Sequence, residues 1–470
     1  MEQTLNKTQD IKQTQILIGL LMAGFIGLFG ETALNIALSQ LMKDFSITPG
    51  KVQWLSTSYI LVIGILAPLS GLLLRWVSTR KILLSSILIF ITGTIICASA
   101  PYFSVLLIGR VVQGIATGIL IPLIFNTILI IYPPEKRGTA MGFVGLVISF
   151  APVIGPTISG FLLSSLSWRW IFIVMLPFLV IAFIVSALYM KNITTVTRPK
   201  IDILSVLLSI VGFGSVVFGF SSAGDKGWGS LEVVVTLAIG IISLAFFTHR
   251  QLTMEVPILN LRVFKYRMFS LGVLMIVLSF GMIMGVMLVL PLYFLDGLLL
   301  PAAAVGLYLL PSGLANGVFS AIAGRLFDSF GAKWLVKIGA TISVLAMTML
   351  VLSTKDSSVV YIITATILFM IGVPLTMSPA QTNALNQLPH EVAPDGTAIM
   401  NTLQQIAGAI SIALTMVFLT VGKNTYLATG GTDATLAMVN GAHYVFIFTL
   451  VLALIVFTLS MFINTKAYGK

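Results

Sequence analysis

Long apolar runs broken by short polar stretches dominate the chain. A helix needs about 20 apolar residues to cross the hydrocarbon core of a bilayer. The pattern supplies fourteen such segments, at roughly residues 16–41, 52–74, 82–100, 103–131, 138–164, 169–190, 203–221, 230–248, 268–294, 302–323, 334–353, 358–384, 395–421 and 442–464. The fourth, fifth, twelfth and thirteenth exceed one crossing and are expected to tilt or to extend past the membrane. Residues 1–15 are polar, and the run after them is too long for the h-region of a secretion signal, so it reads as a retained first span. The pattern therefore predicts an all-α, polytopic membrane protein.

Composition agrees. Of 470 residues 58% are hydrophobic and 9% charged, against about 25% charged in ordinary soluble proteins. Mean hydropathy is +1.07. A net charge of +11 suggests nucleic acid in a soluble chain, but here the cations fall in short loops without interleaved aromatics, so no nucleic-acid partner is expected. They are topology signals instead. An even number of spans puts both termini on one side. That side carries most of the loop cations, among them Arg75, Arg80, Lys81, Lys136, Arg137, Arg250, Arg262, Lys265, Arg267, Arg325 and Lys333. The other side has Lys43, Lys51, Arg169, Lys226, Lys355 and Lys423. By the positive-inside rule both termini are cytoplasmic.

An internal repeat organises the spans. The loop Gly71–Lys81 follows the second span, and Gly324–Lys333 follows the tenth. Gly138, Thr139 and Ala140 open the fifth span; Gly396, Thr397 and Ala398 open the thirteenth. Both landmarks recur eight spans later, whereas two six-helix halves would recur after six. Two helices are thus inserted between the halves. The division is a tail at 1–15, a first bundle at 16–190, the inserted helices and an amphipathic linker at 191–267, and a second bundle with a short tail at 268–470.

Chemistry is sparse, which makes its few carriers conspicuous. Glu31 is the only acid well inside an apolar segment. A carboxylate in hydrocarbon needs a water-filled cavity, a partner or a proton. Asn35 lies one turn on and shares its face. Arg110 is the second charge inside a span, with Gln113 on the same face. The pair suggests a proton carrier, Glu31, whose proton an approaching arginine would help to release. Two plainer readings stand beside this one. Glu31 could cross-link helices, and Arg110 could extend its stem to the headgroups. Asp296, near the outer end of the ninth span, is a further candidate for proton handling. Polar candidates for a transport cavity are Asn35, Gln113, Asn126, Asn316, Gln381 and Asn383, with Met284 and Tyr293 from the methionine-rich ninth span. The fifth span combines small residues with Gly155 and Pro156, which suits close packing and a bent gate. Arg325 and Asp328 sit in a glycine-bounded turn that suits a latch between moving halves. In the first copy of that turn Arg75 occupies the place of Asp328.

Soluble-style catalysis finds no support. There is no GxxxxGK[ST] stretch, no HExxH and no G-x-S-x-G elbow near a suitable His and Asp. The one cysteine, Cys97, lies in a span and suits packing. No enzyme activity, cofactor or metal is expected.

In order, these motifs resemble the major facilitator superfamily, in particular its fourteen-helix drug:proton antiporters, over nearly the whole chain. Gly30 to Leu38 resembles the first-helix motif, with Glu31 where aspartate is usual, closest to the lincomycin-resistance branch. Arg110, Gln113 and Gly114 resemble the fourth-helix motif tied to proton coupling. Gly155, Pro156, Ser159 and Gly160 resemble the fifth-helix antiporter motif, with Ser159 in place of a glycine. Gly324 to Lys333 resembles the loop motif, while Gly71 to Lys81 departs from it at Arg75 and Ser78. The resemblance implies the major facilitator fold with 14 transmembrane helices, as two six-helix bundles plus two inserted helices, and alternating access around a midplane cavity bordered by spans one, four, nine and twelve. It implies a monomer in a bacterial cell membrane that exports small amphipathic drugs in exchange for protons. A carrier for a single metabolite, lipid or cell-wall precursor is the alternative within transport. A channel would show a pore ring and a receptor a sensing domain, and the sequence has neither.

Overall fold

The structure is a computed structural model that describes residues 12–47, 49–194, 196, 202–255, 257–389 and 391–464. The polar tail before Lys12 and the stretch 197–201 lie outside it. The helices are α1 (Gln13–Ala33), α2 (Pro49–Leu66), α3 (Thr79–Ala98), α4 (Phe103–Ile131), α5 (Pro134–Ser165), α6 (Arg169–Tyr189), α7 (Ile203–Lys226), α8 (Leu231–Thr253), α9 (Arg267–Leu292), α10 (Ala302–Phe330), α11 (Ala332–Val351), α12 (Val359–Asn386), α13 (Ala393–Ala428) and α14 (Ala434–Ser460). Among the described residues thirteen helical segments are long and apolar enough to cross a membrane, and the bent second span makes fourteen.

Two expected spans are broken. After Ala33 the first tightens into a 3-10 turn, Leu34–Ala37, before a short helix, Leu38–Asp44. The second bends by 56° between Leu66 and Ser70. Pro68 lies in that break, where its missing N–H and bulky ring interrupt the helical ladder. The four spans expected to be long are so: α4, α5, α12 and α13 have 29, 32, 28 and 36 residues, and α10, which the apolar pattern ended near residue 323, also runs to 29. Several helix starts at the loops have side-chain caps. Ser230 and Ser358 accept from Val233 N at 3.3 Å and Tyr361 N at 3.2 Å, and Asp433 accepts from Thr435 N at 2.8 Å.

Helices α1–α6 pack among themselves, as do α9–α14. The described chain ends lie on one face. There Gln13 bonds the Ile131 carbonyl at 2.7 Å, and Asn383 bonds the Asn464 carbonyl at 3.3 Å. We call this the terminal face. The halves meet along two seams. One joins α5 to α10. The other joins α2 and α4 to α13, and inserted α7 covers it by packing on both α2 and α13. Trp54 of α2 stacks near Phe218 of α7 at 5.6 Å, and Gly64 and Gly214 let these helices approach. Helix α8 packs mainly on α7 and turns Leu231, Ile241 and Phe246 outward, as a helix at the lipid boundary must.

Candidate functional site

Arg110 is the centre of the first bundle's interior. Its relative exposure is 0%, so it does not reach for headgroups. Nε donates to the Leu55 carbonyl at 3.2 Å. Nη1 donates to the Gly30 carbonyl and to Gln113 Oε1, each at 3.0 Å. The guanidinium carbon sits 4.2 Å from the centre of the Tyr59 ring, within cation–π range. Gln113 in turn donates to Thr94 Oγ1 at 2.9 Å. Tyr59 donates to the Gly27 carbonyl at 2.8 Å and shares a 2.6 Å hydrogen bond with Thr117. One arginine thereby joins α1, α2, α3 and α4. Nη2 alone has no hydrogen-bond partner, an unusual state for a buried guanidinium nitrogen.

Glu31 follows the carbonyl that Arg110 holds. It is half-buried, one helical turn before the 3-10 segment. Its charge, the Arg110 charge and the Tyr59 hydroxyl lie within electrostatic reach of one another. Arg110 makes no hydrogen bond to the Glu31 carboxylate; it grips the backbone beside it. Behind the same turn stands Gly155 of α5. A Cβ there would overlap the Thr32 hydroxyl and lie 3.1 Å from Ala33 N. Glycine is required because the two backbones touch. Gly155 thus belongs to the acidic turn as much as to any gate. For Pro156 and Asn35 only the backbone is described, within α5 and the 3-10 turn.

The α5–α10 seam is closed at the terminal face. A Cβ on Gly324 would overlap the Gly138 carbonyl oxygen and lie 2.7 Å from Gly142 Cα. Gly145 faces Ser320, and Gly317 faces Phe150. Small residues let the two helices meet without intervening side chains. Towards the opposite face Gly160 and Gly306 have open space around them. Asp328 closes the contact by accepting from Gly138 N at 2.8 Å, Thr139 N at 2.7 Å and Thr139 Oγ1 at 2.5 Å. A carboxylate on backbone N–H groups in the second turn of a helix is a favourable charge-assisted contact. Arg325 is exposed and lies over the Phe143 ring at 5.9 Å, outside that contact.

The second seam has its own closure. Arg75 forms an ion pair with Asp395, whose side chain is 0% exposed. Gly71 packs on Pro394, Asp395 and Ala398. The repeat superposes Arg75 on Asp328, and Asp395 on Arg137. Acid and base have changed places between the two seams. Arg137 itself donates to the Tyr132 and Leu129 carbonyls and to Asn386 of the other half, at 3.0, 2.6 and 2.8 Å.

The remaining candidates divide. Gln113 is 0% exposed and committed to Thr94 and Arg110, so it positions the arginine and does not line a cavity. Tyr293 is also fully buried, at the end of α9, between Phe294 and Phe446. Its hydroxyl reaches the Thr354 carbonyl at 3.4 Å. Packing explains it, and a cavity role does not fit. Asp296 is exposed in a π-helical turn, Tyr293–Gly297, outside the Arg110 network, so proton handling with Glu31 finds no support there. Asn383 serves the terminal face. Asn316 donates to Met370 Sδ at 3.2 Å, and Met284 is half-buried near Gly408. Asn126 has neither amide atom bonded, and Gln381 Nε2 is also unpaired. Buried amides without partners suit a ligand or water.

Sequence reasoning missed Tyr59, Thr94, Thr117 and Asp395. The last was within reach, because it stands one residue before the matched Gly396 and opposite Arg137 in the repeat. Among the described residues no cluster of three His, Cys, Asp or Glu could hold a metal ion.

Comparisons with known proteins converge. The family description Major Facilitator Superfamily matches residues 20–412. The chain is 51% identical over 462 residues to the lincomycin resistance protein LmrB of Bacillus subtilis, covering 97% of this chain and 96% of that one. It is 49% identical over 468 residues to the protein of that name from Listeria monocytogenes, covering 99% of each. A multidrug resistance protein B homolog of Mycobacterium tuberculosis is 30% identical, covering 84% of this chain and 74% of that one. Among solved structures, the human organic anion transporter MFSD10 aligns with a TM-score of 0.66 at 12% identity, covering 94% and 99% of the two chains. The proton:xylose symporter XylE aligns at 0.61 and 15% identity, covering 93% and 94%. Low identities of this kind speak to fold alone. Fourteen spans, twelve of them in two bundles, a buried arginine at the heart of one bundle, and this agreement give a single conclusion: the chain is a multi-pass membrane transporter of the major facilitator superfamily.

Proposed function

We propose that the protein exports amphipathic drugs or other toxic compounds across a bacterial cell membrane in exchange for protons, with both termini cytoplasmic. The observation that carries this reading is Glu31, an acid inside the membrane, half-buried beside the Arg110 network and on the turn that Gly155 of α5 touches. The names of the relatives, lincomycin and multidrug resistance proteins, support the substrate class. The distribution of loop cations supports the orientation.

In this reading the state at hand is outward-facing. The terminal face is sealed by Asp328 and by the Arg75–Asp395 pair, and the α5–α10 seam loosens towards the other side. Glu31 takes a proton from outside. Rocking of the halves opens the terminal face, where substrate enters and Glu31 loses its proton. Arg110 acts through its grip on the Gly30 carbonyl. Any shift of α1 relative to α4 changes the distance between guanidinium and carboxylate, and with it the proton's hold. Gln113 and Tyr59 fix the arginine. Asn126, Gln381, Asn316 and Met284 supply polar and adaptable contacts for substrate.

The test uses Glu31→Gln in everted vesicles with an imposed proton gradient and a pH-sensitive dye. The variant should insert normally and bind drug, yet neither export it nor release protons when drug is added. Undiminished drug-dependent proton release would refute the assignment.

A further inference from the structure

The linker between α8 and α9 borders a cavity that transport leaves without a use. Its volume is about 620 Å³, inside the ~300–1,000 Å³ range of small-molecule sites. Its lining includes Asn260, Arg262, Lys265, Arg267 and, from beyond α12, Val392. That lining holds three cations and no carboxylate. Among the described residues the ion pairs join Arg75 to Asp395 and Arg250 to Asp202, so none neutralises these three. The neighbouring acids are not in the lining: Asp395 is paired with Arg75, while Glu391, beside Val392, and Glu255, beside the Met254 carbonyl that Arg262 holds, are exposed.

The linker is built to a fixed shape. Gln251 Oε1 accepts from Ile258 N at 2.8 Å and Leu259 N at 3.2 Å. Arg262 Nη2 donates to the Leu252 and Met254 carbonyls at 3.3 and 3.2 Å, and Asn260 Oδ1 accepts from Arg262 N at 3.2 Å. Lys265 and Arg267 are exposed and take no part in that framework. Beside them Phe264 is 40% exposed, at the point where α9 enters the apolar layer.

We infer that this cavity binds the phosphate headgroup of an anionic phospholipid. Unpaired cations at the edge of a span attract anionic leaflets, and basic hollows between membrane helices are suited to lipid phosphates. The exposed Phe264 ring favours a lipid over a soluble anion, because it offers apolar contact to the acyl chains beneath the same headgroup. The site also borders the second seam, since Val392, three residues before Asp395, is part of its lining. A lipid bound there adds negative charge next to the Arg75–Asp395 pair.

The test is thermal unfolding of the detergent-purified full chain titrated with phosphatidylglycerol, phosphatidylcholine or inorganic phosphate. Phosphatidylglycerol should stabilise the wild type saturably, and the other two should not. Lys265→Ala with Arg267→Ala should raise the half-saturating phosphatidylglycerol concentration by about 10-fold or more, as expected for two lost juxtamembrane cations. Lys265→Arg with Arg267→Lys should leave it unchanged. Equal stabilisation by phosphatidylcholine, or by phosphate alone, overturns the inference on the wild type itself. An unaltered response in the double alanine variant does the same.

Discussion

Removing either partner of the Arg75–Asp395 pair should open the terminal face, but to different extents. Asp395 is fully enclosed, whereas the Arg75 side chain is 22% exposed. Arg75→Ala leaves a buried carboxylate without its cation, a change that costs about 3–5 kcal/mol where it has been measured. Asp395→Asn leaves an arginine that can turn to water, and about 1–2 kcal/mol is the expected loss. The pair joins the two halves, so its loss weighs on the closed terminal face and not on each bundle's own stability. A bias of about 3 kcal/mol shifts such an equilibrium more than 100-fold. The readout is maleimide labelling of Ser320→Cys, which lies in the α5–α10 seam against Gly142 and Gly145. Native Cys97 is buried and gives a quiet background. Labelling should be fast in Arg75→Ala, intermediate in Asp395→Asn and slow in the wild type. The exchange Arg75→Asp with Asp395→Arg reproduces the order of charges at Asp328 and Arg137, and should slow labelling again. Equal rates in the two single variants, or no recovery in the exchange, would refute the reasoning.

Other outcomes follow from the same geometry. Gly324→Val should prevent the α5–α10 contact, because its Cβ has no room beside Gly138 and Gly142; labelling of Ser320→Cys should then be fast whatever the proton gradient. Arg110→Ala removes the bonds to the Gly30 and Leu55 carbonyls and leaves Gln113 Oε1 without its cationic donor, at about 1–3 kcal/mol for a buried group left unsatisfied. Its melting temperature in detergent should fall well below that of Glu31→Gln, and equal values would argue against the network. The Arg250 guanidinium bonded to Asp202 outweighs the opposing effect of burial and, with Ser205, holds the carboxyl down at about 2. Because the folded value lies below the usual ~3.9 of an unfolded aspartate, this contact contributes above pH 4 and is lost only as pH falls towards 2. The melting difference between Asp202→Asn and wild type should therefore be flat from pH 5 to 8.

Much of this was legible in the chain because hydrocarbon imposes a simple rule. Apolar runs of bilayer length must be helices, and each charge inside one stands out. Glu31 and Arg110 were visible for that reason, and Asp328 because its glycine-bounded turn belongs to a repeated loop. Tyr59, Thr94 and Thr117 were not, since their hydroxyls matter only through partners on other helices. Gln113 and Tyr293 read as cavity residues because polarity in a span looks alike whether it faces a ligand or a neighbouring helix. The break at Pro68 hid inside an otherwise uninterrupted apolar run. Arg75 looked like a damaged latch until the structure supplied Asp395, on a helix start where acids are ordinarily unremarkable.

The covering of one seam by α7 has a consequence for traffic from the lipid. A compound dissolved in a leaflet can slip sideways between the halves only where nothing bars the gap. The α2–α13 side has a third body laid across it, held at Trp54 and Phe218 and by glycines on both helices. The α5–α10 side has no third helix across it, only the glycine contact of the two helices and the Asp328 carboxylate that closes it at the terminal face. The two side doors that the twofold design would provide are thereby reduced to one, and the direction from which a membrane-borne compound approaches is set before it meets any residue that recognises it.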